Sequence, residues 1–257
     1  MVKLAANLTM MFNEHDFLDR FAAAATAGFS AVEFLFPYAY QPEQIAEKLE
    51  KHDLELALFN LPPGNWDSGD RGMAALPARR AEFDRSVTTA LRYAAILRPH
   101  RLHMMSGLAD HKSQAAVAAY RSSLVHACQA AAEQDVSIVI EPINSRDMPG
   151  YFLNDFDWAA RLIADLNQPN LALQYDIYHR QIIHGDVIRS IQTLLPIIGH
   201  VQLAAVPERH EPGSGELDDG RILRHLDTLE YDGFVGLEYR PAGDTVAGLV
   251  WRRQLGF

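Results

Sequence analysis

The sequence has a single cysteine, no long apolar run and no excess of basic residues. The lone Cys128 excludes an internal disulfide framework and is typical of a reducing compartment. No apolar run reaches the roughly 18 residues that a membrane-spanning helix needs, and the first residues form no signal-peptide pattern. These absences predict a cytoplasmic protein that does not enter a membrane.

The charge balance also excludes a class of partner. Lysine and arginine total 23 against 33 acidic residues, which gives a formal net charge of -10. Because a nucleic-acid surface normally needs a basic face, this balance argues against nucleic acid and favours a small-molecule partner. Hydrophobic residues make up 48% of the chain, enough for a large core. No repeat, linker or low-complexity tract divides it, so residues 1–257 are predicted to form a single domain.

Strand-like and helix-like segments alternate along the whole chain. Eight short apolar segments are predicted strands, at residues 4–8, 31–36, 54–60, 101–105, 136–141, 171–176, 200–204 and 234–238. Helical segments separate them, with Asn13 and Asn154 as predicted N-caps and a last short helix within residues 244–257. This alternation predicts an α/β protein, a single (β/α)8 TIM barrel. A doubly wound open sheet is the alternative.

Four oxygen-bearing side chains stand at the ends of consecutive strands. They come from strands five, six, seven and eight: Glu141, Asp176, Gln202 and Glu238. Because strand carboxyl ends meet on one face of such a barrel, these side chains are expected to converge. Converging carboxylates repel strongly unless a cation lies between them, and an all-oxygen set suits Mg2+ or Mn2+ better than zinc. Alternatively, each acid separately caps a helix or pairs with an arginine.

Five further residues are candidates for contact with a substrate. His179 follows Asp176 by three positions on a predicted loop. Arg209 and Arg71, on two other loops, have the planar fork that binds a carboxylate, although either could be a solvated surface charge. His103, in the fourth strand, fits either the site or the core. Glu33, in the second strand, could orient a substrate hydroxyl or pair with a cation.

Several segments together resemble one family. They are residues 7–12, 32–38, 140–144, 174–179 and 238–241. In these segments, and over nearly the whole chain, the sequence resembles the hydroxypyruvate isomerase family, which belongs to the sugar-isomerase and endonuclease-IV-like TIM barrels. One departure is Arg240, where lysine is usual in the family; we expect it to affect the rim of the site rather than metal binding.

The resemblance implies a metal-dependent aldose–ketose isomerase. Its metal ligands would be the four strand-end residues already named, with Glu141 and Glu238 also forming the acid–base pair. His179 and Arg209 match positions that contact substrate in related sugar epimerases. The implied reaction converts hydroxypyruvate to tartronate semialdehyde through a cis-enediolate. The family's second branch, the 2-oxo-tetronate isomerases, gives the alternative substrate.

Two other classes of function compete with this prediction. A repair endonuclease on the same fold would need about three zinc ions, several histidine ligands and a basic groove, but Gln202 stands where a histidine is expected. A non-catalytic sugar-acid binding protein would have no need of the complete acid set. A homo-oligomer is allowed by the sequence but not specified by it.

Overall fold

The computed structural model describes residues 2–257, and its centre is a closed barrel of parallel strands. The eight strands pair in chain order, and β1 closes the barrel against β8. The strands are β1 Lys3–Asn7, β2 Ala31–Phe34, β3 Glu55–Asn60, β4 Arg101–His103, β5 Ser137–Ile140, β6 Leu171–Asp176, β7 Ile198–Gln202 and β8 Phe234–Leu237. The predicted (β/α)8 barrel is therefore confirmed.

Helices surround the barrel. They are α1 Arg20–Thr26, α2 Pro42–Lys51, α3 Arg80–Leu97, α4 Gln114–Ala132, α5 Phe156–Leu166, α6 Ile177–Ile183, α7 Val187–Leu194, α8 Asp219–Thr228, α9 Thr245–Gly248 and α10 Val250–Leu255. Short 3-10 turns occur at Phe17–Asp19, Trp66–Ser68, Pro77–Arg79 and Leu195–Ile197. Within residues 2–257, no helix has both the length and the apolar character to cross a membrane.

Side-chain size separates the two parts of the core. Large aromatic rings fill the layer between barrel and helices; for example, Phe34 packs on Phe21 and Phe59 with ring centroids 6.1 and 6.2 Å apart. Inside the barrel a separate cluster of small residues, Ala5, Ala31 and Ala57, packs with Phe234. Small interior residues leave room in the barrel for polar side chains from other strands.

Two helices begin later than the sequence pattern suggests. Asn13 does not cap α1, because its Nδ2 donates to the backbone oxygen of Met10 and the helix begins only after a 3-10 turn. The N-cap of α5 is Asp155 rather than Asn154, and Asp155 Oδ1 accepts from the Trp158 N–H at 2.5 Å. Both predictions were wrong: at α5 the adjacent Asn154 and Asp155 compete for the same cap, whereas α1 begins at Arg20, too far along the chain for Asn13 to cap it.

The sequence pattern also missed α6, which carries His179. Asp176, the last residue of β6, is its N-cap and accepts the Tyr178 N–H with Oδ1 at 2.7 Å. His179 is therefore held in the first turn of a helix, not on a loop as predicted. The last segment forms two short helices along the side of the barrel, where Arg252 Nη1 donates to the Ala27 oxygen at 3.3 Å.

Candidate active site

A cavity of about 620 Å³ opens at the carboxyl ends of the strands. Most of the residues predicted for the site lie on its wall. They are Arg71, His103, Glu141, His179, Arg209 and Glu238. The wall also includes Met10, Trp66, Asp147, Met148, Tyr178 and Arg240. The cavity therefore combines acidic, basic and aromatic groups in one place.

Buried carboxylates meet a histidine at the base of this cavity. Glu141 is 4% exposed and Asp176 is 1% exposed. Single ligand atoms of these two residues and of His179 lie within 4.8 Å of one another. His179 Nε2 is 3.7 Å from Glu141 Oε1 and 3.6 Å from Asp176 Oδ2. The structure thus brings two predicted metal ligands together with a residue predicted for substrate contact.

Burial makes these carboxylates hold protons more tightly than usual. Burial raises the pKa of Glu141 well above its ordinary value, and the charges of Glu238 and Asp176 add to the effect. Burial likewise raises the pKa of Glu238 to about 8, although Arg209 opposes the shift. The pKa of Asp176 is raised for the same reason. Such a cluster favours either protons or a cation.

Arg209 lies between two of the carboxylates. Its Nη2 donates to Glu238 Oε2 and lies 3.4 Å from Asp176 Oδ2. Its Cζ lies 4.8 Å from the ring centroid of Tyr178. Burial opposes the charged form of Arg209, but the charges of Glu238 and Asp176 outweigh it and raise the pKa. Arg209 is therefore a cation that partly neutralises the cluster.

Two buried atoms in the cluster have unused hydrogen-bonding capacity. Glu141 Oε1 and His103 Nε2 have no hydrogen-bond partner among the described residues, and His103 Nε2 lies 3.6 Å from Glu141 Oε2. Burial lowers the pKa of His103 to about 3, so the ring is neutral. An unpartnered buried carboxylate oxygen beside further carboxylate oxygens fits a divalent cation. The oxygen atoms of this cluster therefore fit a divalent metal ion.

Gln202, the fourth predicted ligand, is held by hydrogen bonds beneath the cluster. Its Nε2 donates to Glu33 Oε1 at 2.9 Å, and its Oε1 accepts from Gln174 Nε2 at 2.6 Å. Both ends of the Gln202 amide are therefore engaged by buried side chains. The oxygen keeps a second lone pair, but the structure does not place it on the cavity wall.

Glu33 does not reach the cavity either, although the sequence made it a substrate-binding candidate. Its side chain is fully buried inside the barrel, where Oε2 lies 2.6 Å from His200 Nε2 and Oε1 accepts from Asn7 Nδ2 at 2.9 Å. Gly236 on β8 makes the space, since a Cβ there would lie 2.1 Å from Glu33 Oε2. Glu33 is thus the centre of a polar network below the site.

Arg71 forms part of one wall of the cavity. Its guanidinium lies 3.8 Å from the ring centroid of Trp66, and Nη1 donates to the backbone oxygens of Trp66 and Asp70 at 3.0 and 2.6 Å. The loop is pinned to the next strand connection, because Gly72 forms a bridge with Ser106. Arg71 is therefore held in place at the cavity as a cation that an anion can approach.

Sequence reasoning missed Asn144, Asp147 and Tyr178 as parts of the site. Asn144 Nδ2 lies 2.6 Å from His179 Nδ1, and Asp147 Oδ2 lies 3.9 Å from Arg209 Nη1. One signal for Asn144 was available, since an asparagine after a strand-ending proline commonly forms a turn with its own backbone. Nothing local distinguishes Tyr178 from a core aromatic residue.

Comparisons with known proteins agree on one family. The family profile described as xylose isomerase-like TIM barrel matches residues 21–255. A 2-oxo-tetronate isomerase from Cupriavidus necator is 49% identical over 98% of this chain and 97% of its own. The hydroxypyruvate isomerase of Escherichia coli is 40% identical over 98% of both chains.

A solved structure gives the same result. A Brucella melitensis protein described as an AP endonuclease of family 2 superimposes with a TM-score of 0.96 at 44% identity, covering 99% of both chains. The profile match includes strands β2 to β8, and the match to this structure extends over nearly the full length of the chain. The fold, the profile and these relatives show that the chain belongs to the xylose isomerase-like TIM barrel family, and its relatives include proteins named hydroxypyruvate isomerase and 2-oxo-tetronate isomerase.

Proposed function

We propose that this protein is an isomerase that transfers hydrogen between C3 and C2 of a short 2-oxo sugar acid. The observation that carries the proposal is the pairing of Glu141 and Glu238 on one cavity, both buried and both with a raised pKa. A carboxylate with a raised pKa is a stronger base, and two of them can remove and return a proton. The relatives named as isomerases support the same reaction class.

A divalent metal, Mg2+ or Mn2+, is part of the proposal. Glu141, Asp176 and Glu238 would hold it through carboxylate oxygens, and Gln202, the fourth ligand predicted from the sequence, would have to turn its amide oxygen from Gln174 towards the ion. When bound, such an ion polarises the carbonyl and hydroxyl oxygens of the substrate and makes the C–H bond between them more acidic. The unpartnered Glu141 Oε1 is the observation that favours the site.

The chain's own residues account for the movement of the proton. One of the two glutamates takes a proton from C3 of hydroxypyruvate, and the electron pair forms the C2–C3 double bond of an enediolate. The other glutamate then delivers a proton to C2, while the hydroxyl proton on the C3 oxygen passes to the C2 oxygen, which gives the C3 aldehyde and C2 hydroxyl of tartronate semialdehyde. His179 Nε2 lies close enough to the cluster to donate to an oxygen of the enediolate.

Two arginines would bind the substrate carboxylate. Arg71 stands on the cavity wall beside Trp66, and Arg209 stands among the acids. A guanidinium fork matches a carboxylate in geometry as well as in charge. Because Arg209 is bonded to Glu238, substrate binding would transfer this cation from the enzyme's carboxylate to that of the substrate. That exchange would release Glu238 to act as a base.

Two substrates satisfy this chemistry. The sequence motifs favour hydroxypyruvate, whereas the relative at 49% identity favours 2-oxo-tetronate as a second candidate. Both need the same proton transfer between C3 and C2. A nuclease is disfavoured by the net charge of -10 and by Gln202 in the place of a histidine. A cytoplasmic location stays a prediction of the sequence, and a homo-oligomer is allowed by it but not specified.

The test is a substrate panel with and without metal. Purified protein is incubated with hydroxypyruvate, tartronate semialdehyde and both dehydrotetronates in Mg2+, Mn2+ or EDTA, and exchange of solvent deuterium into each compound is followed by NMR. We expect exchange at C2 or C3 of at least one acid, and its loss in EDTA. Full activity in EDTA would remove the metal from the proposal, and no exchange in any acid would remove the isomerase.

Substitution separates the acid–base pair from the fold. We expect Glu141→Gln and Glu238→Gln each to abolish turnover while the circular dichroism spectrum is unchanged, because the amide cannot accept the proton. Glu55→Gln is the matched control, since Glu55 lies at the opposite end of the barrel beside His100. Near-normal activity in either active-site variant would exclude that residue as the acid or base.

A further inference from the structure

The ring of His179 is held by a neighbour that the proton-transfer scheme does not use. Asn144 follows β5 and is 1% exposed, and His179 is 2% exposed. Asn144 Nδ2 lies 2.6 Å from His179 Nδ1, and the Asn144 backbone N–H points at the same ring nitrogen at 3.4 Å. When the nitrogen end of the Asn144 amide faces the ring, two N–H groups therefore point at His179 Nδ1.

The surrounding backbone settles that orientation. Asn144 Oδ1 accepts from the backbone N–H groups of Arg146 and Asp147 at 2.9 and 3.0 Å. Asn144 Nδ2 also donates to the Asp147 carboxylate at 3.3 Å. Turning the amide over would place its NH2 group against two N–H donors and its oxygen against a carboxylate. The nitrogen of Asn144 must therefore face the histidine.

This arrangement determines where the histidine carries its proton. A neutral imidazole has one N–H and one lone pair, and an Nδ1 that receives donors must supply the lone pair. The hydrogen is then on Nε2, the atom that points at Glu141 and Asp176. A neutral histidine binds a metal through an unprotonated nitrogen. The ring is thus turned away from metal ligation, although it lies within the cluster.

We propose that Asn144 is a positioning residue that keeps His179 in the Nε2–H tautomer, so that His179 offers a hydrogen-bond donor to a substrate oxygen and does not ligate the metal. This inference deepens the proposed isomerase function and rests on it for the identity of the substrate. The donor would serve the oxygen that gains negative charge as the enediolate forms. The tautomer itself is a property of the protein without substrate or metal.

The first experiment reads that tautomer directly. Long-range 1H–15N correlation spectra are recorded on metal-free, 15N-labelled protein, and the His179 signals among the 11 histidines are assigned by their loss in His179→Gln. We expect a protonated shift at Nε2 and an unprotonated shift at Nδ1. A protonated Nδ1 with an unprotonated Nε2 would overturn the proposal. Because this spectrum does not depend on turnover, it can fail or succeed separately from the isomerase assay.

The second experiment reverses the hydrogen bond to His179 Nδ1 by swapping the side chains at positions 144 and 147, which leaves the net charge unchanged. Asn144→Asp combined with Asp147→Asn keeps an acceptor for the backbone N–H groups, keeps one carboxylate in the pair, and turns an acceptor towards the ring. We expect Nδ1 to become protonated, and kcat to fall by about 10²-fold, the usual cost of one transition-state donor, with little change in KM. Asp147→Asn alone is the control and should leave Nδ1 unprotonated. An unprotonated Nδ1 or an unchanged kcat in the double variant would contradict the inference.

Discussion

Raising the pH should destabilise this protein when it is free of metal. Burial raises the pKa of Glu238 to about 8 from an ordinary value of 4.5. Between these values the folded protein keeps a proton that the unfolded chain has released. The free energy of unfolding therefore falls as the pH rises, by up to about 1.4 kcal/mol per pH unit. Glu141 and Asp176, whose pKa is also raised, act in the same direction.

The window from pH 6.5 to 8 keeps the contribution of opposing groups small. Burial lowers the pKa of His103 from 6.5 to about 3 and that of His179 well below 6.5. A buried neutral histidine adds stability as the pH rises through 6.5, so between pH 6.5 and 8 each of these two rings still opposes the fall by about 0.4 kcal/mol. The pKa of Asp219, raised by burial to about 6, also lies below the window. Across the window Glu238 alone is expected to cost about 1.5 kcal/mol, or roughly 3–6 °C in Tm.

The assay is thermal unfolding by circular dichroism in EDTA at several pH values across the window. Adding Mn2+ should remove the decline, because the cation replaces the protons that the carboxylates hold. Glu238→Gln should make the decline without metal shallower, since the amide does not titrate and only Glu141 and Asp176 still contribute. A Tm that is constant or rises between pH 6.5 and 8 in EDTA would refute the reasoning from burial.

Three further predictions follow from particular contacts. Gly236→Ala should lower the free energy of unfolding by roughly 1–3 kcal/mol, because the added Cβ clashes with Glu33. Gly243→Ala is the control, since no atom lies within 4 Å of its added Cβ. Urea unfolding compares the two variants, and equal stability would argue against the clash. Mn2+ binding at pH 7 should release protons, seen by calorimetry in two buffers of different ionisation enthalpy, and a buffer-independent heat would contradict the raised pKa values. Arg209→Gln should tighten Mn2+ binding to the free protein, because the guanidinium no longer neutralises Glu238, and should raise KM; weaker Mn2+ binding would contradict this competition.

The barrel and the acids at its rim could be predicted from local patterns. A buried parallel strand is a short apolar run, and each of Glu141, Asp176 and Glu238 follows such a run directly. Because the carboxyl ends of all barrel strands meet on one face, strand order alone predicts that these acids are neighbours. Even a two-residue error in a strand boundary does not change that conclusion.

Helix starts and short helices were less predictable. The start of α5 differs from the prediction by one residue, because Asn154 and Asp155 are both good caps and only Asp155 meets the Trp158 N–H. The helix that carries His179 was missed, since its seven residues show no clear periodicity before their tertiary packing is known. Local propensity is too weak to decide such cases.

Sequence alone therefore determined the fold class, the face that bears the site and the chemical types gathered there, since strand periodicity and residue type are local properties. Only the tertiary structure decided how those groups are used. Glu33 binds His200 and Gln202, 167 and 169 residues away along the chain, because Gly236 leaves space inside the barrel. Arg209 likewise lies against Glu238, 29 residues away along the chain. Such contacts depend on the volume left by side chains from distant strands, and no local pattern in the sequence records that volume.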